Sequence, residues 1–203
     1  MCALRSTLAC RSAVCLVMAP FEPLKPSNTG WLVADVVADT SAFLWSRTTL
    51  DPALEALLAD PRRQPYLVFP GEFVEADRIV RELPGIDAPQ AKPPLFVVLD
   101  GTWSEARRMF RRSPWLNRFP VLSLDATHAS RYRLRQADRD HHLCTSQVVA
   151  HCLAMAGDHR AAETLEATLD VFSERYLRAN QSVPADPADE AHRRLLALSE
   201  PAA

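Results

Sequence analysis

The most regular feature of the chain is a series of short apolar runs separated by longer segments with helical periodicity. The continuous runs at residues 13–18 and 95–99 are typical of strands that are buried on both faces of a sheet. Shorter apolar runs at 42–45, 66–69 and 121–124 are predicted as further strands. The pattern therefore predicts strands distributed over the first two thirds of the chain.

Between these runs, apolar residues recur at the spacing of helices with one buried face. The predicted helices are 30–38, 52–59, 72–83, 103–112, 146–156 and 161–178, with a short helix at 189–198. Pro52 suits a first helical turn, and Pro114 ends the helix before it. The four prolines in residues 84–94 predict a linker there.

Strands that alternate with helices predict an α/β fold, a largely parallel sheet covered by helices. A length of 203 residues fits one domain. We place that domain at residues 13–180. Residues 1–12 are then an N-terminal extension, and residues 181–203 are a flexible tail rich in proline, alanine and aspartate.

Glycine content and apolar content exclude several classes of protein. The five glycines lie at least 14 residues apart, so neither a GxGxxG nor a GxxxxGK phosphate-binding loop is present. No run approaches 18 apolar residues, so no membrane span is expected, and the apolar N-terminal run is too short for a signal peptide. The five cysteines form no CxxC pair, which favours free thiols in a cytoplasmic protein.

Charge is distributed unevenly, although the formal net charge is only −2. Nine of the 21 arginines lie in residues 107–139, the arginine tract, where Asp125 and Asp138 are the only acids. The resulting local charge of about +7 indicates an anionic partner. The helix that carries Arg107, Arg108 and Arg111 also fits a simpler explanation, a solvated helix face.

The sequence LDGTW is the clearest candidate for a site. Asp100 ends a buried strand, and ligands of open α/β sheets bind at that edge. Thr102 and Glu105 have the spacing of a capping box at the start of the next helix, where an anion is favoured. The alternative is that Asp100 only caps this helix and that Trp103 only fills the core.

Two further segments place hydroxyl groups at predicted helix starts. Thr29 precedes the first helix, and Thr145 or Ser146 is expected to cap the helix that follows the arginine tract. Either start suits a carboxylate or phosphate, although such capping sequences are common. The cluster of His141, His142, Cys144, His151 and Cys152 fits no zinc spacing, so no metal is expected.

Five sequence blocks in a fixed order carry a family resemblance. The blocks are KPSNTG (25–30), LVFPGE (67–72), VVLDGTWSEARRM (97–109), SRYRLR (130–135) and LCTSQVVA (143–150). Over about residues 13–157 the chain resembles the DTW-domain family, which is named for the signature formed here by Asp100, Thr102 and Trp103. Its characterised members are tRNA-uridine aminocarboxypropyltransferases related to the SPOUT class of RNA methyltransferases. The resemblance implies a SPOUT-like fold with a C-terminal trefoil knot.

The resemblance also implies the reaction and the residues that bind its donor. S-adenosylmethionine would donate its 3-amino-3-carboxypropyl group to N3 of a uridine in tRNA, with rRNA as another possible substrate. By similarity, Trp103 and Ala106 would enclose the methyl group, and the Leu99 backbone would hold the ribose hydroxyls. Thr29 and Thr145 would bind the amino-acid carboxylate. Thr102, which caps the same helix as Trp103, completes the donor-binding set.

Asp100 would act on the uracil as a base or as an orienting group, because uracil N3–H is a weak acid. The RNA-binding set comprises Arg107, Arg108, Arg111, Arg131, Arg133 and Arg135; the last three alternate, so an extended segment would direct them to one side. A SPOUT-type methyltransferase and a non-catalytic RNA-binding module are the alternative functions. The protein is expected to act as a monomer.

Two positions depart from the family pattern. Many members carry a zinc-type cysteine cluster before the first strand, whereas Cys2, Cys10 and Cys15 here lack that spacing. The family's final block usually contains a glutamate where this chain has Gln147. The chain therefore lacks one negative charge at the expected site.

Overall fold

A parallel sheet forms the centre of the protein. The computed structural model describes residues 7–85, 91–124 and 143–199. Within these residues the strands are β1 (Ala13–Met18), β2 (Thr40–Leu44), β3 (Gln64–Val68), β4 (Ile79–Val80), β5 (Pro94–Asp100) and β6 (Val121–Leu122). They lie in the order β2-β1-β5-β3-β6-β4, and all neighbouring pairs are parallel. The predicted α/β class with a parallel sheet is confirmed.

Helices cover both faces of this sheet. They are α1 (Gly30–Val36), α2 (Pro52–Leu58), α3 (Trp103–Arg111), α4 (Thr145–Met155), α5 (His159–Asn180) and α6 (Glu190–Ser199). α1, α4 and α5 pack on one face, and α2 and α3 pack on the other. None of the helices in the described part of the chain combines the length and apolar character of a membrane span.

The central strands are continuous apolar runs in the sequence because helices cover both faces of the sheet. In β1, Leu16 contributes to the core under α1, α4 and α5, whereas its neighbour Val17 contributes to the core under α2 and α3. Every residue of β1 and β5 is buried. A strand buried on both faces has no polar alternation, so these two strands were the easiest to predict.

The helix predicted at residues 72–83 is wrong. The chain instead forms the 3₁₀ turns Gly71–Phe73 and Ala76–Arg78 and then β4 at the edge of the sheet. The apolar residues do not share one helical face: the Phe73 ring lies against Trp103, whereas β4 pairs with β6. Contacts with two different partners therefore override a spacing that resembles a helix.

The N-terminal segment is tied to the domain by its backbone. Leu8 forms a parallel bridge with Val37 at the side of β2. The N–H groups of Arg11 and Ser12 each donate to one carboxylate oxygen of Asp158, both at 3.0 Å. These contacts attach residues 8–12 to the amino-terminal edge of the sheet and to the loop between α4 and α5.

The short helix predicted in the tail is present as α6, and it packs against α5. Leu195 is fully buried together with Ala167 and Val171. His192 is also buried, and its Nε2 accepts a hydrogen bond from Arg175 Nε at 2.8 Å. This part of the tail is therefore packed on the domain, and the boundary proposed at residue 180 stays a prediction.

We expect Leu195→Ala to lower the free energy of unfolding by about 2–5 kcal/mol, because it leaves a cavity between α5 and α6. Leu196→Ala is the matched control. Leu196 lies on the same helix but is exposed, so its loss is expected to change stability by less than about 0.5 kcal/mol. Urea denaturation measures both values. Equal effects of the two variants would contradict the packing of α6.

Candidate functional site

The candidate site lies where β1 and β5 end side by side. Residue Met18 of β1 is paired with Asp100 of β5. From these ends the chain continues to α1 on one face of the sheet and to α3 on the other. Neighbouring parallel strands that lead to opposite faces leave a crevice at their carboxyl ends, and open α/β sheets bind ligands there.

Asp100 is held in this crevice from two directions. Its side chain is only 2% exposed. Thr145 Oγ1 donates to Oδ1 at 2.5 Å, and Asn28 Nδ2 donates to Oδ2 at 2.8 Å. Thr145 begins α4 and Asn28 precedes α1, so a single carboxylate connects the starts of two helices to the end of β5. Such contacts fix the orientation of the carboxylate.

A chain of polar contacts continues from Asp100 towards the surface. Asn28 Nδ2 also donates to Glu22 Oε1 at 3.1 Å. Glu22 Oε2 accepts from Lys25 Nζ at 2.5 Å, and Lys25 lies 3.6 Å from Glu105 Oε2 at the start of α3. The loop after β1 and the start of α3 are therefore joined across the mouth of the crevice.

Two buried carboxylates share one amide in this arrangement. Glu22 is 1% exposed, as buried as Asp100. Burying a carboxylate is costly unless hydrogen bonds or opposite charges compensate. The Asn28 amide donates to both groups, and Lys25 supplies a positive charge to Glu22. Asn28 consequently couples the position of Asp100 to the whole loop after β1.

The capping box predicted for α3 is confirmed. Thr102 Oγ1 accepts from the Glu105 N–H, and the Glu105 carboxylate accepts from the Thr102 N–H at 2.8 Å. Partial burial favours the neutral form of Glu105. The hydrogen bonds from Thr102 and the nearby Lys25 charge outweigh that effect, so the pKa of Glu105 is lowered. Glu105 stays charged beside the crevice.

Gly30 is placed so closely against Asp100 that no side chain fits. A Cβ atom at this position would lie 2.6 Å from Asp100 Oδ2 and 3.2 Å from Asn28 Oδ1. The backbone φ of Gly30 is not positive, so conformational freedom is not the reason for glycine here. The first turn of α1 needs glycine because it approaches the carboxylate directly.

The start of α4 lies beside that of α1. Ser146 N–H donates to Thr29 Oγ1 at 3.4 Å, which brings Thr29 and Thr145 into one small region. The predicted cap is wrong by one residue, because α4 begins at Thr145 with Cys144 as its N-cap. Gln147 Oε1 accepts from the Cys144 N–H at 3.2 Å. The side-chain oxygen of Gln147 therefore accepts the same hydrogen bond from the N-cap residue that a carboxylate at this position would accept.

An aromatic cluster forms the wall on the β3 side of α3. Phe69 stacks on Trp103 with a centroid distance of 5.8 Å and on Phe110 at 4.4 Å. The Phe73 ring stands edge-on to Trp103 at 6.0 Å. Ala106, one turn after Trp103, is buried in the same core. This wall offers an apolar surface next to the polar crevice.

The arginines of α3 lie on two neighbouring stripes of the helix. Arg107 and Arg111 are four residues apart, and the Arg107 guanidinium lies 5.9 Å from the centre of the Trp103 ring. Arg108 follows Glu105 by three residues and so lies on the stripe that faces Lys25. All three arginines are exposed. They form a basic surface that begins at the site.

The structure brings most of the predicted site residues to one edge of the sheet. These are Thr29, Leu99, Asp100, Thr102, Trp103, Ala106 and Thr145. The sequence analysis included Asn28 and Lys25 only as members of the KPSNTG block, and it missed Glu22. A local signal was available in the sequence. Lys25 and Asn28, which donate to the Glu22 carboxylate, follow Glu22 by three and six residues within the short segment FEPLKPSN.

Some predictions fall outside the described residues. Arg131, Arg133 and Arg135 do, as do His141 and His142. Across residues 7–85, 91–124 and 143–199, no three His, Cys, Asp or Glu side chains are grouped as a metal site.

The cysteines in the described ranges are free thiols. Cys15 lies in β1 and is fully buried; its burial raises the pKa of the thiol to about 12. Burial likewise raises the pKa of Cys144. These thiols are therefore protonated at neutral pH and are poor nucleophiles.

The fold and the site define an open-sheet α/β protein with a candidate ligand site at a topological switch point. The DTW-domain profile matches residues 1–177, most of the chain and more than the sequence blocks had indicated. The chain therefore belongs to the DTW-domain family, the family of tRNA-uridine aminocarboxypropyltransferases. Membership indicates a tRNA-modifying enzyme. No solved structure matches the chain significantly.

Proposed function

We propose that the protein transfers the 3-amino-3-carboxypropyl group of S-adenosylmethionine to N3 of a uridine in tRNA. The observation that carries the proposal is the placement of Asp100. This carboxylate is buried at the switch point, is held by Thr145 and Asn28, and lies between two helix starts and a basic helix. Membership of the DTW-domain family supports the reaction class.

In this proposal the start of α4 holds the carboxylate of the donor's amino-acid part. Thr29 and Thr145 lie together there, and the N-terminus of a helix favours an anion. The Leu99 backbone, one residue before Asp100, contacts the ribose hydroxyls. Thr102 keeps α3 in place through its cap.

Selectivity among the three carbons on the sulfonium comes from position. The attacked carbon must lie in line with uracil N3 and the sulfur. Trp103 and Ala106 line the apolar wall and enclose the methyl group, away from the nucleophile. The wall excludes water from the methyl group and leaves the aminocarboxypropyl carbon on the polar side, towards Asp100.

The transfer breaks one bond to sulfur and forms one bond to nitrogen. Asp100 accepts the N3–H proton directly, or it orients the uracil while that proton passes to water. N3 attacks the γ-carbon of the donor, and the bond between that carbon and sulfur breaks with its electron pair remaining on sulfur. Methylthioadenosine is the second product. A positioned base contributes about 10²–10⁴-fold to such a step.

The same proposal includes a SPOUT-like fold with a C-terminal trefoil knot and an RNA surface on the arginine tract. Residues 125–142, which precede α4, lie outside the described residues, so the knot stays part of the proposal. Arg107, Arg108 and Arg111 are exposed at the site and provide phosphate contacts. Arg131, Arg133 and Arg135 belong to the same proposed RNA-binding set but lie outside the described residues.

The test is an incubation with S-adenosylmethionine labelled in the aminocarboxypropyl group and, separately, in the methyl group. The RNA is a pool of unmodified tRNA transcripts, with rRNA as the comparison. We expect 3-(3-amino-3-carboxypropyl)uridine after digestion to nucleosides, with label from the first donor only. A methylated nucleoside would indicate a methyltransferase instead. RNA binding without either product would indicate a non-catalytic RNA-binding module.

Trp103→Ala is expected to weaken the binding of S-adenosylmethionine and to allow methyl transfer as a side reaction. Its loss removes the ring that stacks on Phe69 and exposes the methyl position. Isothermal titration and nucleoside analysis measure the two effects. Trp115→Ala is the control, since Trp115 packs half-buried in the same core beyond the far end of α3. Equal loss of donor binding in both variants would show that Trp103 acts only through stability.

A further inference from the structure

Three large apolar side chains are exposed on the loop that leads from β1 to α1. Phe21 is 72% exposed, Leu24 is 79% exposed and Trp31, in the first turn of α1, is 42% exposed. We call Phe21, Leu24 and Trp31 the apolar platform. Isolated exposed apolar residues are ordinary, but several on one short loop beside a functional crevice indicate a contact surface.

The platform stands on a loop whose backbone and side chains are held by hydrogen bonds. Trp31 Nε1 donates to the carbonyl of Pro23 at 3.1 Å, which holds the indole against the segment between Phe21 and Leu24. The Glu22 N–H donates to Ala19 O at 2.9 Å, and the Glu22 side chain between the exposed residues is buried. Ordered aromatic surfaces lose little conformational entropy when a partner stacks on them.

The same loop is directly connected to the reacting region. Trp31 N–H donates to Asn28 Oδ1 at 3.1 Å, and the amide of Asn28 donates to Asp100. A molecule bound on the platform would therefore contact the same loop that holds the Asp100 carboxylate. The platform thus adjoins the place where the target uridine must enter.

Positive charge borders the platform on the α3 side. Lys25 follows Leu24, is 32% exposed and lies between the carboxylates of Glu22 and Glu105, at 2.5 and 3.6 Å, so a phosphate that approaches it would compete with these two ion pairs. Arg108 lies one turn beyond Glu105 on the same stripe of α3 and is exposed. An apolar surface with a basic border fits a partner that presents flat apolar faces together with negative charge.

We propose that the apolar platform stacks on unpaired bases next to the target uridine of the substrate RNA; this inference rests on the proposed function. Proteins recognise RNA mainly at single-stranded loops, where unstacked bases pack on aromatic side chains while basic residues contact the phosphates. The exposed Phe21 and Trp31 lie on the segment that carries Lys25, and Arg108 is exposed on α3 near the Lys25–Glu105 contact, which matches that chemistry.

A second copy of the chain fits the same surface less well. A twofold interface brings identical patches together, so the positive borders around Lys25 and Arg108 would face one another. Three side chains also provide far less than the roughly 800 Å² per partner of a stable interface. RNA is therefore the occupant to which the proposal commits.

The test compares two variants with the wild type, the double substitution Phe21→Ala/Leu24→Ala and the single substitution Trp31→Ala. Unmodified tRNA transcripts and perfectly paired duplex RNA are the probes. Fluorescence anisotropy gives the affinity at several salt concentrations. We expect affinity for tRNA to fall roughly 5- to 100-fold per stacked base, with affinity for the duplex unchanged. The slope of log affinity against log salt should stay as in the wild type. Arg108→Ala should make it shallower, by about 0.7–0.9 if Arg108 contacts a phosphate.

Leu196→Ala, an exposed apolar residue on α6, is the control and should leave tRNA affinity unchanged. Unaltered tRNA affinity in both platform variants would overturn the proposal, as would an equal loss of affinity for duplex RNA. A wild-type dimer that dissociates in Phe21→Ala/Leu24→Ala on sedimentation would also overturn it. Weakened tRNA binding by these variants, in a wild type that forms no aminocarboxypropyluridine, would support the platform and contradict the proposed reaction.

Discussion

Asp100→Asn is expected to lower turnover by about 10²–10⁴-fold, while the affinity for S-adenosylmethionine falls much less. The replacement keeps the size of the side chain and an oxygen that can accept from Thr145, but it removes the negative charge next to the uracil. Single-turnover kinetics with saturating tRNA transcript measures the chemical step, and equilibrium titration measures donor binding.

The loss of a hydrogen bond must be separated from the loss of charge. In Asp100→Asn the new amide faces the amide of Asn28. One of the two side chains that donate to Asp100, Asn28 or Thr145, therefore loses its acceptor. Asp158→Asn is the matched control: this carboxylate holds two backbone N–H groups at the opposite edge of the sheet. The Asp158→Asn variant should be less stable than the wild type but should retain its turnover. A fully active Asp100→Asn enzyme would reduce Asp100 to a structural cap.

Gly30→Ala should lower turnover by about 100-fold, more than its effect on stability explains. Alanine favours the helical conformation over glycine by about 1 kcal/mol. Its Cβ, however, would lie 2.6 Å from Asp100 Oδ2, so the carboxylate or the start of α1 has to move. A displacement of about 1 Å at a reacting group is sufficient for a loss of this size.

Gly85→Ala is the control for this substitution, because a Cβ at Gly85 meets no atom within 4 Å. Its turnover should equal that of the wild type. Thermal unfolding, measured on both variants, distinguishes a local shift from general destabilisation. Full activity of Gly30→Ala would show that the position of Asp100 is not critical, and it would weaken the assignment of Asp100 to the chemical step.

The elements that depend on local chemistry were predictable. β1 and β5 are uninterrupted apolar runs because both faces of each strand are covered. The cap at Thr102 follows from two residues at a fixed spacing, and both of its hydrogen bonds form within one turn of helix. The edge position of Asp100 followed in turn from the strand before it and the helix after it.

Residues 72–83 show where periodicity is insufficient. Their apolar spacing fits a helix, but Phe73 and β4 contact different neighbours at the end of the sheet. A hydrophobic pattern records which residues are apolar and not which partner each one meets. The predicted cap of α4 failed by one residue for a related reason, since Gln147 stabilises the N–H of Cys144 instead.

The sequence by itself determined the α/β class, the family and the position of Asp100 at a strand end, because each depends on short-range order or on motifs. Only the tertiary structure decided that Asn28 connects Asp100 to Glu22. Asn28 is 72 residues from Asp100 in the sequence and six residues from Glu22. The tertiary structure also decided that Phe21 and Trp31 stay exposed while Glu22 between them is buried. The physical reason is that Asp100 is held only where the loop after β1, the end of β5 and the start of α4 meet, and no local pattern encodes that meeting.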